Sequence, residues 1–219
     1  MFLFCYQKRC DVLKDNQDAY GHQLYDFYKG RQVVEIVERD DGLIDPNESL
    51  PKYYLSEYKD WSLRERQAAR YVKGKVLDIG CGGGRWSLYL QKKGHDVLGI
   101  DISPLAVKVC KLRGLRDVRV KSITEVDSRL GRFDTILMIG NNFGLFGWPK
   151  RAQQLLKRFH KMTSPDPHII VESLDIYKRP VDPVHRRYHP RNRRRGRMPD
   201  KCASGFATGR TLPRGLTIY

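Results

Sequence analysis

The sequence lacks both a long apolar stretch and a cysteine framework. None of its apolar runs approaches the length of a membrane span, and the apolar start at Met1–Phe4 is too short for a signal peptide. Five cysteines, an odd number without framework spacing, fit a reducing compartment rather than a disulfide-stapled secreted domain. We therefore expect a cytoplasmic protein with no membrane partner.

Acidic residues are scarce near the C-terminus. The whole chain has a formal net charge of +16, and residues 178–219 contribute twelve Lys or Arg against two Asp, a net of +10. The arginines concentrate at Arg186-Arg187 and between Arg191 and Arg197. Such a run can neutralise the phosphates of a nucleic acid. The alternative is a solvated arm, or a loop that pairs with acids elsewhere in the fold.

Internal repeats are absent, and strand-like runs alternate with helical patterns. In the helix that Ser103 caps, Leu105, Val109 and Leu112 form the expected buried stripe. The alternation predicts one α/β core, a doubly wound and mostly parallel sheet with helices on both faces. The predicted strands cover residues 32–38, 75–79, 96–100, 117–121, 133–139 and 168–172.

The most informative pattern is a glycine-dense turn after an apolar run. It reads Asp78-x-Gly80-x-Gly82-x-Gly84, and a second apolar run ends at Asp101, 17 residues after the last glycine (101 − 84). Glycines let the backbone turn sharply and approach a ligand closely. An acid at the second position can accept hydrogen bonds from both hydroxyls of a ribose. The pattern predicts a nucleotide-type pocket at the carboxyl ends of two neighbouring parallel strands.

The third glycine of a dinucleotide fingerprint is missing. That fingerprint reads G-x-G-x-x-G, and counted from Gly80 its last position falls on Arg85. The carboxylate of Asp78 would also repel a pyrophosphate. Both residues disfavour a nicotinamide-dependent oxidoreductase, which is kept as an alternative that would bind NAD.

The glycine pattern resembles motif I of the class I S-adenosylmethionine-dependent methyltransferases, and the resemblance covers roughly residues 62 to 175. It implies a Rossmann-like sheet, with Asp78 at the amino-acid end of S-adenosyl-L-methionine and Asp101 at the ribose. Where the family usually has an acid near the adenine amino group, Ser122-Ile123 stands, so a backbone contact is expected instead. The candidate cofactor-binding residues are Asp78, Gly80, Gly82, Gly84, Asp101, Ile102, Ser122, Ile123, Asn141 and Tyr58.

The loop after the fourth core strand lacks the motifs of DNA methylation. It contains neither an Asn-Pro-Pro-Tyr type motif nor a Pro-Cys pair, so DNA is not expected as a partner. In the resembling family this loop lies where the methyl group is transferred. Asn141 is a candidate for orienting the cofactor or an acceptor, and its alternative role is to hydrogen-bond its own loop.

The catalytic residues are not identified by the sequence. His185 and His189 are candidate general bases, with ordinary loop histidines as the alternative interpretation. No third ligand accompanies them, so no metal is predicted. In the resembling family the segment before the first core strand often closes over the cofactor. The aromatics that would form this lid, or else pack at the surface, are Tyr53, Tyr54, Tyr58 and Trp61.

The end of the chain departs from the resembling family. The family's sheet ends in an antiparallel edge hairpin, and residues 178–219 lack its pattern, so we expect the sheet to lack a complete hairpin. Codons can be chosen for 201–219 so that a one-base-shifted reading gives an alternating, strand-like string. We hypothesise that these residues arise from a frameshift. The predicted division is an N-terminal lid segment (1–61), a methyltransferase core (62–177) and a basic segment (178–219).

The resemblance implies an enzyme that transfers a methyl group from S-adenosyl-L-methionine. A small-molecule acceptor is the first hypothesis, because no RNA-binding module accompanies the core. RNA is the second, because the basic segment would follow the last core strand near the acceptor side. A truncated, non-catalytic protein that retains the cofactor pocket is the third. The sequence leaves the oligomeric state open.

Overall fold

The structure is a computed structural model of the 219-residue chain. It describes residues 12–39, 44–47, 50–147 and 149–173, together with 190–191, 193–194, 204–206, 210–211 and 217–218. Most of the predicted basic segment, including His185 and His189, lies outside the described residues.

Helices and strands alternate through the described chain. The helices are α1 (Ala19–Tyr28), α2 (Leu50–Tyr54), α3 (Leu63–Ala69), α4 (Arg85–Lys92), α5 (Pro104–Leu112) and α6 (Pro149–Lys161). The strands are β1 (Val33–Arg39), β2 (Ile44–Asn47), β3 (Val76–Ile79), β4 (Val97–Asp101), β5 (Asp117–Val120), β6 (Phe133–Met138), β7 (Thr163–Val171), β8 (Ser204–Phe206), β9 (Arg210–Thr211) and β10 (Thr217–Ile218).

The main sheet is parallel and has the order β5-β4-β3-β6-β7. The chain builds β3, β4 and β5 outward in one direction and then crosses to β6 and β7 on the other side of β3. In open α/β sheets, ligands bind at the carboxyl ends of the strands where the strand order reverses. The predicted doubly wound α/β fold is confirmed, and the crevice is expected beside the end of β3.

Local sequence signals explain where the helices next to this crevice begin. Ser62 and Glu65 form a capping box, in which each side chain accepts a hydrogen bond from the other residue's backbone N–H. Ser103 caps α5 by accepting from the backbone N–H of Ala106, and Pro104 occupies the first helical position. The Ser103 cap at the start of α5 agrees with the sequence analysis.

The buried face of α5 differs from the expected stripe. Val109 is fully buried, but the side chain of Leu112 is 46% exposed. The helix instead buries small side chains against α1 and the glycine turn, because those elements approach it too closely for a row of leucines. The buried residues of this face are Ala106, Val107, Val109 and Cys110.

A second five-stranded sheet, built of short strands, forms around β1. Its order is β2-β1-β10-β9, and β8 pairs with the other part of β1. Within the described residues, no strand pairs with the outer edge of β7. Among the described strands of the C-terminal tail, β8 and β10 pair with β1, β9 pairs with β10, and none pairs with β7. The frameshift stays a hypothesis, and resequencing the gene would check it. No helix in the described part of the chain is long and apolar enough to cross a bilayer.

Candidate functional site

A cavity of about 430 Å³ opens at the carboxyl ends of the parallel strands. This volume falls in the range of small-molecule sites. Loops that follow β3, β4, β5 and β6 line the cavity, and residues from the N-terminal part of the chain cover it. The predicted cofactor residues that line it are Asp78, Gly80, Gly82, Asp101, Ile102, Ser122 and Ile123.

The glycine turn is shaped by positions that only glycine fits. Gly80 and Gly82 have φ values of +72° and +52°, in the left-handed region. A Cβ at Gly80 would lie 2.5 Å from Nδ2 of Asn142, and one at Gly82 would lie 2.4 Å from the hydroxyl of Tyr20. Gly84 faces away from the cavity toward Cys110, so its role is to start α4 closely packed on α5.

Asp78 is a buried carboxylate at the end of β3. Its side chain accepts a 2.6 Å hydrogen bond from the hydroxyl of Ser87. Burial, followed by repulsion from the carboxylate of Asp101, raises the pKa of Asp78 to about 6. No cation among the described residues forms an ion pair with it, so this acid can accept a positively charged ligand group.

Asp101 is buried at the end of β4 with both oxygens partly engaged. Oδ2 accepts from the backbone N–H of Gly82 at 2.9 Å, and Oδ1 accepts from that of Ser103 at 3.0 Å. Burial raises its pKa, and these backbone bonds oppose that effect. Each carboxylate oxygen has capacity for a further hydrogen bond. The geometry therefore offers two neighbouring acceptors, as a ribose diol requires.

The N-terminal segment covers the cavity through contacts that the sequence analysis missed. Leu13, Gln17 and Tyr20 line it, and the backbone N–H of Leu13 donates to the carbonyl of Ile102 at 3.1 Å. Asp18 fixes this segment, because its buried carboxylate accepts from the Ser103 hydroxyl at 2.9 Å and from a backbone N–H of α5. The sequence clue to this role of Asp18 is its position directly before α1, where an aspartate commonly caps a helix.

The predicted aromatic lid is only partly correct. Tyr53 and Tyr54 line the cavity. Tyr58 does not, because its ring stacks on Tyr89 outside the cavity with the centroids 4.5 Å apart. Trp61 is buried and stacks on Trp86, which does line the cavity. Tyr58 is therefore corrected from a cofactor contact to a packing residue.

A buried ion pair supports the cover. Nη2 of Arg85 lies 2.5 Å from Oε1 of Glu65, and both side chains are less than a tenth exposed. The Arg85 guanidinium lies 4.3 Å from the ring centroid of Tyr53 and 4.8 Å from that of Trp61. Its ion pair lowers the pKa of Glu65 although burial opposes this. Arg85 therefore links the glycine turn to the helix that precedes β3.

Asn142, rather than the candidate Asn141, lines the cavity. Asn141 has a left-handed φ of +64° and does not line the cavity. Asn142 lines it, and its Nδ2 donates to the carbonyls of Ile79 at 3.1 Å and Gly80 at 3.0 Å. The turn at Asn141 brings the Asn142 side chain back to the glycine loop, so Asn141 is corrected to a residue outside the cavity.

Glu172 is another residue that the sequence analysis did not single out. Its Oε2 accepts from the backbone N–H of Gly140 at 2.7 Å, and its carbonyl accepts from the backbone N–H of Phe143 at 3.1 Å. The half-buried carboxylate thus fixes the loop after β6, where the resemblance places methyl transfer. In the described part of the chain, no group of three or more potential metal ligands is found.

Comparisons with known proteins agree with this geometry. A family model described as a methyltransferase domain matches residues 76–166. The 2-heptyl-1-hydroxyquinolin-4(1H)-one methyltransferase of Mycobacteroides abscessus is 40% identical over 72 residues, which are 30% of this chain and 32% of that protein. A ubiquinone biosynthesis O-methyltransferase of Xanthomonas oryzae pv. oryzae is 40% identical over 68 residues, 28% of each chain.

A solved structure extends the similarity to the fold. The crystal structure of a SAM-dependent methyltransferase from Bacteroides fragilis, in complex with S-adenosyl-L-homocysteine, matches with a TM-score of 0.65 and 32% identity. The match covers 73% of this chain and 65% of that one, whereas the chain spans less than a third of the two sequence relatives. Because the parallel sheet, the glycine turn and these matches agree, residues 76–166 form a methyltransferase domain with the fold of the class I S-adenosylmethionine-dependent methyltransferases, a family whose cofactor is S-adenosyl-L-methionine.

Proposed function

We propose that this protein transfers a methyl group from S-adenosyl-L-methionine to a small-molecule acceptor. The observation that carries the proposal is one cavity in which Asp78 and Asp101 lie buried beside a glycine turn and an aromatic cover. The names of the two sequence relatives, a hydroxyquinolinone methyltransferase and a ubiquinone biosynthesis O-methyltransferase, support a small acceptor.

The residues of the cavity fit the cofactor chemically. Asp78 would accept hydrogen bonds from the ammonium group, which would compensate the burial of its carboxylate. Asp101 would accept from the two ribose hydroxyls through the capacity left on its oxygens. Ile102 and Ile123 would offer the adenine an apolar surface, and Gly80 and Gly82 let the turn pack closely against Asn142 and Tyr20 at the edge of the cavity.

The protein's contribution to transfer would be alignment and exclusion of water. When bound, the cofactor supplies an already activated methyl group. The chain must then hold an acceptor in line with this methyl group. Such alignment can remove a large part of the barrier to a reaction between two molecules. The residues beside the loop after β6 suit this task. Tyr53 and Trp86 offer aromatic surface, and Asn142 and Glu172 fix the loop backbone.

The test is a cofactor-dependent transfer assay with a panel of hydroxylated aromatic compounds and, in parallel, total RNA. Methylation of a small compound, with no labelled RNA, is the expected result. If only RNA is methylated, the acceptor is RNA rather than a small molecule, and the salt dependence of RNA binding should then be steep. Cofactor binding without turnover on any acceptor would favour the non-catalytic alternative.

A further inference from the structure

A second cavity, of about 330 Å³, lies on the other side of Arg85 from the first. It forms between residues 56–59 and the outer face of α4, and Arg113 at the end of α5 closes it. We call it the basic groove. Four cationic side chains line it and one acid does. The cations are Lys59, Arg85, Lys92 and Arg113, and the acid is Glu57.

Two of these cations already have acidic partners. Arg85 is paired with Glu65 at 2.5 Å. Lys59 lies 3.9 Å from a carboxylate oxygen of Glu57, although both of these side chains are largely exposed. Within the described residues, neither Lys92 nor Arg113 forms an ion pair with an acid. The basic groove therefore carries about two positive charges that the fold leaves without counter-charges.

Arg113 is the cation that makes this more than an exposed charged surface. It is partly buried, and desolvation lowers its pKa. Its guanidinium donates from Nη1 to the carbonyl of Gly83 at 2.5 Å and from Nη2 to that of Leu55 at 2.9 Å. An arginine has five N–H donors, so three are left over for a further partner. Carbonyls satisfy hydrogen bonds but do not neutralise a charge.

A concave site of one charge sign attracts counter-ions more strongly than a flat surface does. The planar fork of arginine matches the oxygens of a phosphate, and a lysine adds a strongly hydrated point charge. Lys92 lines the same groove from the last turn of α4, where the helix dipole favours a cation. Tyr58 and Tyr89 add stacked rings to its wall.

We propose that the basic groove is a binding site for a phosphate-type anion, separate from the cofactor cavity and held chiefly by Arg113 and Lys92. The ligand would be a small phosphorylated compound or a free phosphate or pyrophosphate. The site does not depend on the methyltransferase function proposed above.

Calorimetric titration of the full chain with pyrophosphate tests the site, with sodium chloride matched for ionic strength as the blank. Arg113→Lys keeps the charge but loses the fork, and Lys92→Gln changes a residue on the surface of α4. We expect saturable binding to the wild type and at least fivefold weaker binding to each variant. Arg116→Gln is the matched control, because Arg116 is exposed near Arg113 but does not line the groove, and we expect less than a twofold change.

The Arg113 and Lys92 variants also separate this site from the arginine-rich C-terminal segment, because neither residue belongs to that segment. If all three variants bind pyrophosphate like the wild type, the anion binds elsewhere and the proposal is wrong. If the wild type shows no binding above the chloride blank, Arg113 serves only to hold Gly83 and Leu55 together, and the proposal is again overturned. If the two groove variants weaken binding as expected, titration with inorganic phosphate and with a nucleoside monophosphate will distinguish a free anion from a phosphorylated compound as the preferred ligand.

Discussion

The cavity lies between two parts of the chain, and different kinds of contact hold these two parts in place. The parallel-sheet part, residues 76–171, supplies Asp78 and Asp101 from the ends of adjacent strands. The covering part, residues 12–69, supplies Leu13, Gln17 and Tyr20, and the aromatic residues Tyr53 and Tyr54. The family model matches the first part from residue 76 to residue 166 and does not reach the second.

The two parts should therefore respond differently to substitution. The register of the parallel sheet brings together the residues at the ends of neighbouring strands. The spacing of such residues along the chain therefore predicts a ligand site. The covering part reaches the same cavity through single tertiary links. These include the Asp18–Ser103 hydrogen bond and the Arg85–Glu65 ion pair. We therefore expect substitutions in the sheet part to change cofactor binding and those in the links to uncouple the cover.

The largest expected effect comes from breaking the buried ion pair. Arg85→Met leaves Glu65 buried without its partner, and we expect the free energy of unfolding to fall by about 3–5 kcal/mol. Urea denaturation followed by circular dichroism measures it. The double variant Arg85→Met, Glu65→Gln should recover most of the loss. A single variant within about 1 kcal/mol of the wild type would show that the pair does not support the cover.

The contact between the two parts can be tested at Gly82. In Gly82→Ala the new Cβ would meet the Tyr20 hydroxyl at a left-handed φ, so we expect at least about tenfold weaker binding of S-adenosyl-L-homocysteine. Calorimetry measures the affinity. Gly94→Ala is the control, since Gly94 also has a positive φ but nothing lies near its Cβ. Equal losses in both variants would mean that backbone strain, rather than contact with the cover, weakens binding.

Adding Tyr20→Phe to Gly82→Ala sharpens the same test. Removing the hydroxyl takes away the atom nearest to the new Cβ, so part of the lost affinity should return. If no affinity returns, the new Cβ must also disturb atoms other than the Tyr20 hydroxyl.

A smaller effect is expected from pH through Asp78, whose pKa is raised to about 6. Below that pH the carboxyl group is protonated and would no longer pair with the ammonium group that we propose it binds. Affinity for S-adenosyl-L-homocysteine should fall by up to about tenfold between pH 7.5 and pH 5. Near pH 6, binding should release a proton, which titrations in two buffers of different ionisation enthalpy detect. Asp78→Asn should bind weakly at both pH values, and an unchanged pH dependence in this variant would assign it to another group.

The same raised pKa has a consequence for the stability of the free protein. The folded state holds a proton on Asp78 at pH values where the unfolded chain, with an ordinary pKa of 3.8, has lost it. This contribution to stability is fully present below pH 3.8 and is lost as the pH rises through about 6. Ligand binding and stability should therefore respond to pH in opposite directions.

The smallest effect distinguishes the aromatic residues of the covering part. Tyr58→Ala should leave cofactor affinity within about twofold, because Tyr58 stacks on Tyr89 outside the cavity. Tyr54→Ala removes a residue that lines the cavity and packs edge-on against Tyr20, and should weaken binding several-fold more. Calorimetry on the two variants compares them, and the reverse order would contradict the corrected lid.

The sequence analysis found the sheet part because its signals are local. The alternation of strands and helices, the glycine turn and the spacing of Asp78 and Asp101 can be read from residues that are close together along the chain. It could not find the Asp18–Ser103 link, whose partners are 85 residues apart, since nothing local predicts that α1 meets the start of α5. The analysis also did not single out Asn142, because the direction of its side chain depends on the left-handed backbone turn at Asn141.

The most direct test of the account is calorimetric titration of the wild type and Asp101→Ala with S-adenosyl-L-homocysteine, each checked for native fold by circular dichroism. Two hydrogen bonds to a charged acceptor contribute about 3 kcal/mol or more together, so we predict micromolar binding by the wild type and at least about 100-fold weaker binding by the variant. A well-folded wild type that does not bind, or a variant that binds equally well, would contradict the assignment of the cavity as the cofactor site.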